Sequence, residues 1–452
     1  MFRPGLQRCI EPRCNASYAL DDQLYVCSLC GGLLDIETDF GAPINTTALK
    51  QTWNERLASS DTRDRSGVWR HRELLPFADQ TPIVSLAEGN TPLYDAPRSA
   101  AYCGLQSLLL KHQGCNPTGS FKDTGMTTAV TQAQLLGSQL VACASTGNTA
   151  ASLAAYAARA SIQCAIIVPQ GQVSSAKLAQ ALDYGAIVLE ILGNFDRAMG
   201  VIRELAEDSS IYLANSINPF RIEGQKTVAA ELMQQLDWRV PDQLVVPGGN
   251  LGNSSALGKG FKELLDLGLI DCLPQINIIQ AEGAAPFARL FDPRDKYRPR
   301  SDALSKFLPV EQPQTRATAI KIGAPVSWKK ALRAVEWTNG RALAVSEEEL
   351  AEAKAMIGRD GIGCEPASAT TVAGIKRLVS AGIVGKEEKV IAVLTGHLLK
   401  DTDYVIGYHE KSNAGQREPR AGAYSNHPIA VEATRDTILK TLEREQQKRQ
   451  LP

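Results

Sequence analysis

Lys122 stands in Asn116-Pro117-Thr118-Gly119-Ser120-Phe121-Lys122-Asp123, between a short apolar run (Ser107 to Leu110, then Lys111) and a helical pattern. A lysine at the mouth of a helix, behind a loop of Gly, Pro and Ser, is placed to act as a reactive amine. Lysine amines form Schiff bases with carbonyl compounds. The plain alternative is a solvated lysine at a helix start, since lysine is seldom buried. Two downstream loops bear on that choice.

The first is Ser145-Thr146-Gly147-Asn148-Thr149, between a strand pattern and an Ala-rich helical one. Open backbone N–H groups at a helix start bind carboxylates or phosphates. Ser, Thr and Asn are also ordinary helix caps, so this loop alone fits either role. The second is Pro247-Gly248-Gly249-Asn250-Leu251-Gly252-Asn253-Ser254, directly after the apolar Leu244-Val245-Val246. Its three glycines and two asparagines suit a nest of backbone donors for a phosphate. It is neither a Walker loop nor a dinucleotide fingerprint. A plain Gly-rich turn is the weaker reading of so long a run.

A separate cluster lies at the start of the chain. Cys9-x4-Cys14 is followed after twelve residues by Cys27-x2-Cys30-Gly31-Gly32. Two cysteine pairs at this separation suit a tetrahedral zinc site. A segment this small has little core without a metal. A metal-free remnant or a labile disulfide pair is the alternative. Cys103, Cys115, Cys143, Cys164, Cys272 and Cys364 are scattered, and read as small buried hydrophobes.

These residues need elements to position them. From about residue 105 strand and helix patterns alternate: strands Gln139–Ala144, Gln163–Val168, Ala186–Leu189, Ile211–Ala214, Gln243–Val246, Ile276–Ala281 and Lys389–Leu394. Between them lie helices Thr149–Ala160, Ser174–Tyr184, Asn194–Glu207, Ile222–Leu236 and Ser254–Leu267. Ser346-x-x-Glu349 is a capping box that opens a later helix. Such alternation implies parallel sheets covered by helices, with ligands beyond the carboxyl ends of the strands. Each loop above falls at such an end. Trp53, Trp69 and the stretch around them read as a helical connector. After Gly407 the chain turns polar and then shows a charged helical pattern, Val431–Lys448.

With 452 residues, two or three domains are expected. A 44% hydrophobic and 21% charged composition is ordinary for a soluble globular protein. A net charge of −1 gives no general attraction to nucleic acid or to anionic membranes. No apolar run approaches a membrane span, and the N-terminus lacks a signal-peptide core. A cytoplasmic protein is expected.

Taken together, a lysine for an aldehyde, a nest for a phosphate and a helix start for a carboxylate describe a pyridoxal phosphate (PLP) enzyme of amino acids. The chain resembles the fold-type II PLP-dependent enzymes, related to the tryptophan synthase β subunit, on the side formed by the threonine synthases. The resemblance rests on NPTGSFKDTGM, ASTGNTAAS, ANSINPFRIEGQKT, PGGNLGNSSALGKGF, TAIKIGAPVSW, CEPASA and TGHLLKD, and spans about residues 85 to 405. The fold it implies is α/β, with two doubly wound parallel-sheet domains and an N-terminal zinc-ribbon-like module. The expected division is 1–40 for the four-cysteine module, 41–90 for the connector, 91–124 with 221–430 for the large PLP-binding domain, 125–220 for the small domain and 431–452 for a C-terminal helix.

The resemblance also implies roles. Lys122 would hold the cofactor aldehyde as a Schiff base and, once freed, move protons. Asn148 would bond the phenolic oxygen of PLP. Gly248, Gly249, Asn250, Leu251, Gly252 and Asn253 would bind its phosphate. Thr395 would face the pyridine nitrogen and leave it largely neutral. Ser145 and Thr146 would hold the substrate carboxylate. Thr149, Asn215, Ser216 and Arg221 would clamp the phosphate of O-phospho-L-homoserine, with Arg221 offering its planar fork. Cys9, Cys14, Cys27 and Cys30 would hold a structural zinc. The implied reaction is β,γ-elimination and replacement, giving L-threonine and phosphate. A homodimer is implied, with no nucleic-acid or membrane partner.

Two positions depart from the family pattern. Thr124 stands where arginine is common, and Leu398 where glycine is common. Leucine does not readily take a positive φ, so a reshaped loop after Thr395 is expected. The competing enzyme readings are a threonine or serine dehydratase and a cysteate synthase. The competing reading of another class is a zinc-ribbon binding protein whose body no longer catalyses; an intact Lys122 argues against it.

Overall fold

A computed structural model describes residues 2–41, 44–170, 175–192, 204, 211–409, 424–426 and 428–450. Two units are distinguished, 1–402 and 403–452. In the first, the N-terminal module holds strands β1 (Gly5–Cys9), β2 (Ser17–Tyr18) and β3 (Leu34–Thr38), followed by helix α1 (Thr46–Arg56) of the connector. Next come β4 (Leu93–Asp95), α2 (Pro97–Cys103), β5 (Leu109–His112) and α3 (Lys122–Leu135). A second group follows: β6 (Leu140–Ala144), α4 (Asn148–Ala160), β7 (Gln163–Pro169), α5 (Ser175–Asp183), β8 (Ile187–Ile191) and β9 (Ile211–Leu213). The chain continues with α6 (Pro219–Gln235), β10 (Gln243–Pro247), α7 (Gly252–Asp266) and β11 (Gln275–Ala281). A small hairpin, β12 (Phe291–Asp292) and β13 (Arg298–Pro299), leads to α8 (Trp328–Trp337), β14 (Arg341–Val345), α9 (Glu347–Arg359), α10 (Pro366–Ser380) and β15 (Val390–Leu394). Described by itself, the second unit carries helix Arg435–Gln450. The expected helix Asn194–Glu207 lies outside the described residues, apart from Glu204.

The larger sheet has the order β14-β11-β10-β15-β5-β4 and is parallel except at its β4 edge, which runs antiparallel to β5. The smaller sheet, β8-β7-β6-β9, is wholly parallel. Strands buried on both faces read as continuous apolar runs, and β10 shows why. Leu244 and Val246 pack into one hydrophobic cluster with Val228, Leu232, Phe261 and Leu332, while Val245 points into another with Leu110, Ala353, Val372 and Ile375. Helices α6, α7 and α8 therefore cover one face, and α9 and α10 the other. The late strand β15 inserts between β10 and β5, so the strand order reverses there. Ligands in open α/β sheets bind at such switch points. The smaller sheet packs Val141, Ile166 and Tyr212 against α3 and α4.

The four-cysteine module is not a loose appendage. Ile36 and Leu20 pack with Trp69, Phe77 and Phe220. Lys330 Nζ donates to Leu34 O at 2.6 Å and pairs with Asp35 at 2.7 Å. The Tyr25 hydroxyl accepts from Leu213 N at 2.6 Å, at the end of β9. The connector buries Trp53 completely, against Trp238 and His71. In the core, Lys111 of β5 is fully buried. It donates to Glu231 Oε1, to Thr91 O at 2.7 Å and to Gln235 Oε1 at 2.8 Å. A buried ammonium is tolerated only with such partners.

Two glycines set the distance between α3 and α6. A Cβ on Gly224 would lie 1.8 Å from Thr124 O, and one on Gly125 would lie 2.8 Å from Arg221 O. Thr128 Oγ1 crosses the same seam to donate to Phe220 O at 2.8 Å. The obstacle at Gly224 is backbone, which no rotamer change relieves. Alanine favours a helix over glycine by about 1 kcal/mol. Gly224→Ala is nonetheless expected to lose stability by about 1–3 kcal/mol or more, as overpacking does. Urea denaturation of the two proteins checks the sign.

Candidate active site

Lys122 is the first residue of α3, and its helix start carries no side-chain cap. Its amine is held down to about 7. Burial is the first cause, and the positive charge of Arg221 the second; Glu365 opposes both. Such a lysine has a substantial uncharged, nucleophilic fraction near neutral pH, unlike the solvated ammonium of the plain reading. Arg221, 2% exposed in the first turn of α6, donates from Nη1 to Ala214 O at 3.1 Å. Its Nε is buried with no partner, and it forms no ion pair among the described residues. Burial brings its guanidinium down to about 10. The α3–α6 seam thus places an unpaired cation close to the lysine.

The loop after β15 is clasped on both sides. Phe121 N donates to Thr395 O at 2.9 Å, and His397 N to Gly119 O at 2.9 Å. On the far side Glu365 N donates to Gly396 O at 2.9 Å. A Cβ on Gly396 would lie 2.3 Å from the Glu365 carboxyl, so a side chain there would displace that carboxyl. Leu398 opens a short 3-10 turn, Leu398–Lys400, whose Leu399 N donates to His397 Nδ1 at 3.2 Å. This turn needs no left-handed residue, so leucine in place of glycine brings no positive φ. Thr124 spends its hydroxyl on Phe121 O, at 2.9 Å within its own helix.

Glu365, at the entry to α10, has no role assigned by the sequence reading. Its buried carboxylate joins two residues that do. Asn148 Nδ2 donates to Oε2 at 2.9 Å and Thr395 Oγ1 to Oε1 at 2.8 Å. Burial raises its pKa, against those two donors and Lys122. Ser368 Oγ lies 3.0 Å from Thr395 Oγ1 and accepts from Thr395 N at 2.8 Å. The only sequence signal for Glu365 and Ser368 is their place in the CEPASA motif. Asp123 is a further residue that its sequence context does not single out. It accepts from Thr118 N at 2.7 Å, from Thr118 Oγ1 at 2.6 Å and from Ser152 Oγ of α4 at 2.6 Å, and burial raises it to about 6.

Helix α4 starts at Asn148 with Gly147 as its uncapped N-terminal neighbour, although Ser145, Thr146 and Asn148 are all good capping types. The Ser145 hydroxyl instead accepts from Gly147 N at 3.3 Å. Thr149 lies in the first turn of that helix, half-buried. Helix α7 also starts uncapped, after Leu251 in a left-handed conformation with φ of 64°. The side chain of Asn253 is buried there with both its polar atoms unpartnered. A Cβ on Gly248 would meet Gln280 Cγ at 2.7 Å, and one on Gly249 would meet Ile320 at 3.1 Å. Gly252 is the first residue of α7. Three expected binding residues have their side chains engaged elsewhere. Asn250 ties its loop to Ser216 Oγ at 2.6 Å and to Val326 N at 2.6 Å, which also occupies Ser216. Asn215 bonds both ways with the Ala144 backbone, at 3.1 Å each.

These residues fit PLP. A desolvated amine, uncapped helix starts and the unpartnered Asn253 amide leave open the donors and acceptors that an aldehyde, a ring and a phosphate require. The four Sγ atoms of Cys9, Cys14, Cys27 and Cys30 lie within 4.8 Å of one another. Zn–S bonds of about 2.3 Å put tetrahedral sulfurs roughly 3.8 Å apart; here Cys9–Cys30 is 3.5 Å and Cys14–Cys27 is 3.6 Å. Of the scattered cysteines, Cys103, Cys143, Cys164 and Cys364 are buried as expected, whereas Cys115 and Cys272 are exposed.

Glu365→Gln sets an amide NH2 against one of two donors. The variant is expected to lose about 1–3 kcal/mol, the cost of an unsatisfied buried group. Urea denaturation of the cofactor-free protein measures it; an unchanged midpoint would remove Glu365 from the network.

The sequence profile "Pyridoxal-phosphate dependent enzyme" matches residues 84–396. Threonine synthase from Methanocaldococcus jannaschii is 47% identical, over 90% of this chain and 95% of its own length. Threonine synthase from Methanosarcina acetivorans is 45% identical, over 89% and 94%. Among solved structures, threonine deaminase isoform 2 from Solanum lycopersicum superposes with a TM-score of 0.59 at 18% identity, covering 80% of this chain and 90% of that one. A fungal L-serine ammonia-lyase from Rhizomucor miehei superposes at 0.58 with 19% identity, over 72% and 99%. The last two speak for the fold alone. By sequence over nearly its whole length, the chain belongs to the PLP-dependent enzymes, in the threonine synthase family.

Proposed function

We propose that this enzyme converts O-phospho-L-homoserine and water to L-threonine and phosphate. One observation carries the choice of substrate. Arg221 is a buried guanidinium without a carboxylate, beside the amine of Lys122. A buried cation is costly unless an anion meets it. A substrate phosphate supplies that anion, with the forked geometry arginine prefers. A dehydratase acting on threonine or serine has no phosphate to offer.

PLP, when bound, supplies an electron sink for a carbanion. Lys122 would hold it covalently, Asn148 and Thr395 would address its ring, and the segment Gly248 to Asn253 its phosphate. Lys122, with its pKa brought down to about 7, is then suited to take a proton from Cα and another from Cβ of the substrate. The open N–H groups at the start of α4, with Ser145, Thr146 and Thr149, would orient the substrate carboxylate and phosphate. Asn215 and Ser216 act in this reading by shaping the wall around Arg221, since their side chains are already bonded. Glu365 holds Asn148 and Thr395 in register.

The same proposal divides the chain into a large PLP-binding domain of residues 91–124 with 221–430 and a small domain of residues 125–220. It places a structural zinc on Cys9, Cys14, Cys27 and Cys30. Among the described residues no helix is long and apolar enough to cross a membrane. A cytoplasmic homodimer completes the reading, on the family resemblance alone.

The direct test is phosphate and threonine formation from O-phospho-L-homoserine, set against ammonia release from threonine. Equal amounts of phosphate and threonine are expected, and none with Lys122→Ala. Arg221→Gln is expected to lower kcat/KM by about a hundredfold or more, as loss of a buried charge partner does. Ammonia release without threonine synthesis would favour the dehydratase reading. For the module, metal analysis of the purified chain is expected to give about one zinc, and Cys14→Ser to lose it with a lower melting temperature. A metal-free chain of equal stability would contradict the zinc assignment.

A further inference from the structure

A cavity of about 580 Å³ opens between the connector and the end of α6, lined by Asp64, Arg65, Arg70, Asn90, Gln234 and Gln235 among others. None of its lining residues belongs to the loops around Lys122. Its volume lies within the range of small-molecule sites, roughly 300–1,000 Å³.

The charges of this cavity do not balance. Arg70 is 3% exposed; its Nη1 donates to Asn90 Oδ1, and its Nε is buried with no partner. Both neighbouring carboxylates are committed elsewhere. Glu231 takes Lys111 and the N–H groups of Asn90 and Thr91. Asp64 pairs with Arg72 at 2.7 Å and with Arg56 at 3.6 Å. Arg70 closes no ion pair among the described residues, and neither does the exposed Arg65. The interior thus holds a desolvated guanidinium that closes no ion pair, with Glu231 and Asp64 acting on it only from beyond contact distance, beside a second unpaired guanidinium. An anion is the missing partner. The cavity also borders the lysine loop: Gly89 N, next to Asn90, donates to Asn116 Oδ1 at 2.8 Å.

We propose that this cavity is a second binding site, for a small organic anion carrying a carboxylate or a phosphate, recognised by Arg65 and Arg70. The test is calorimetric titration of the PLP-loaded full chain. It is done in an Arg221→Gln background, which removes the phosphate-seeking cation near Lys122. One arm uses inorganic phosphate and the other succinate, so the arm that binds identifies the anion. Saturable binding is expected in at least one arm. Adding Arg65→Ser or Arg70→Gln is expected to weaken it by about tenfold or more, the worth of a charge-assisted hydrogen bond. Arg65 is exposed, so Arg65→Ser decides the matter if Arg70→Gln fails to fold. No saturable binding in either arm, or binding that Arg65→Ser leaves intact, overturns the proposal. Neither outcome bears on threonine synthesis.

Discussion

The site depends on how closely α3 and α6 approach. Gly125 and Gly224 remove the Cβ atoms that would hold the two helices apart. The first turn of α3 carries Lys122, and the first turn of α6 carries Arg221. Close packing therefore does two things at once. It takes the amine out of water, and it brings a fixed positive charge near it. Both disfavour the ammonium. Glu365 opposes both effects, but it spends its oxygens on Asn148 and Thr395.

The rest of the cleft follows from strand ends. Lys122, Ser145, Asn215, the Gly248 loop and Thr395 each follow the carboxyl end of a parallel strand, and β15 inserts where the sheet order reverses. The loop at Thr395 is the clasp. Its backbone bonds to Gly119 and Phe121 on one side and to Glu365 on the other. Helix starts that would usually be closed by Ser, Thr or Asn stay open in α4 and α7. Capping groups that do not cap leave backbone donors for a ligand. The four-cysteine module reinforces this frame. Its Leu34, Asp35 and Ile36 are gripped by Lys330 and Lys259, and Tyr25 holds the end of β9.

Much of this is legible from residue order because it is local. Leu244-Val245-Val246 announces a buried strand, and Ser346 with Glu349 forms the capping box it predicts. The loops around Lys122, Gly147 and Gly248 stand out because glycine and hydroxyl residues cluster there. Helix α10 does not stand out, since Pro366 to Ile375 is buried all round and shows no polar face. Glu365 escapes notice for another reason. A carboxylate reveals its task only through partners, and Asn148 is 217 residues away in sequence. Apart from the family resemblance, Arg221 looks like an ordinary surface cation in the sequence, as Arg70 does. What marks them in the structure is burial without an ion pair, a property of the packed molecule alone. Gly224 likewise reads as a weak spot in a helix until Thr124 O is found against it.

The central claim is that packing, not the cofactor, brings the Lys122 amine down to a pKa near 7. Selective labelling of lysine side chains in the cofactor-free protein allows its titration to be followed by NMR, with Lys122→Arg identifying the signal. A midpoint near pH 7 is expected, as burial and Arg221 require. A midpoint near the ordinary lysine value of about 10.4 would contradict the account.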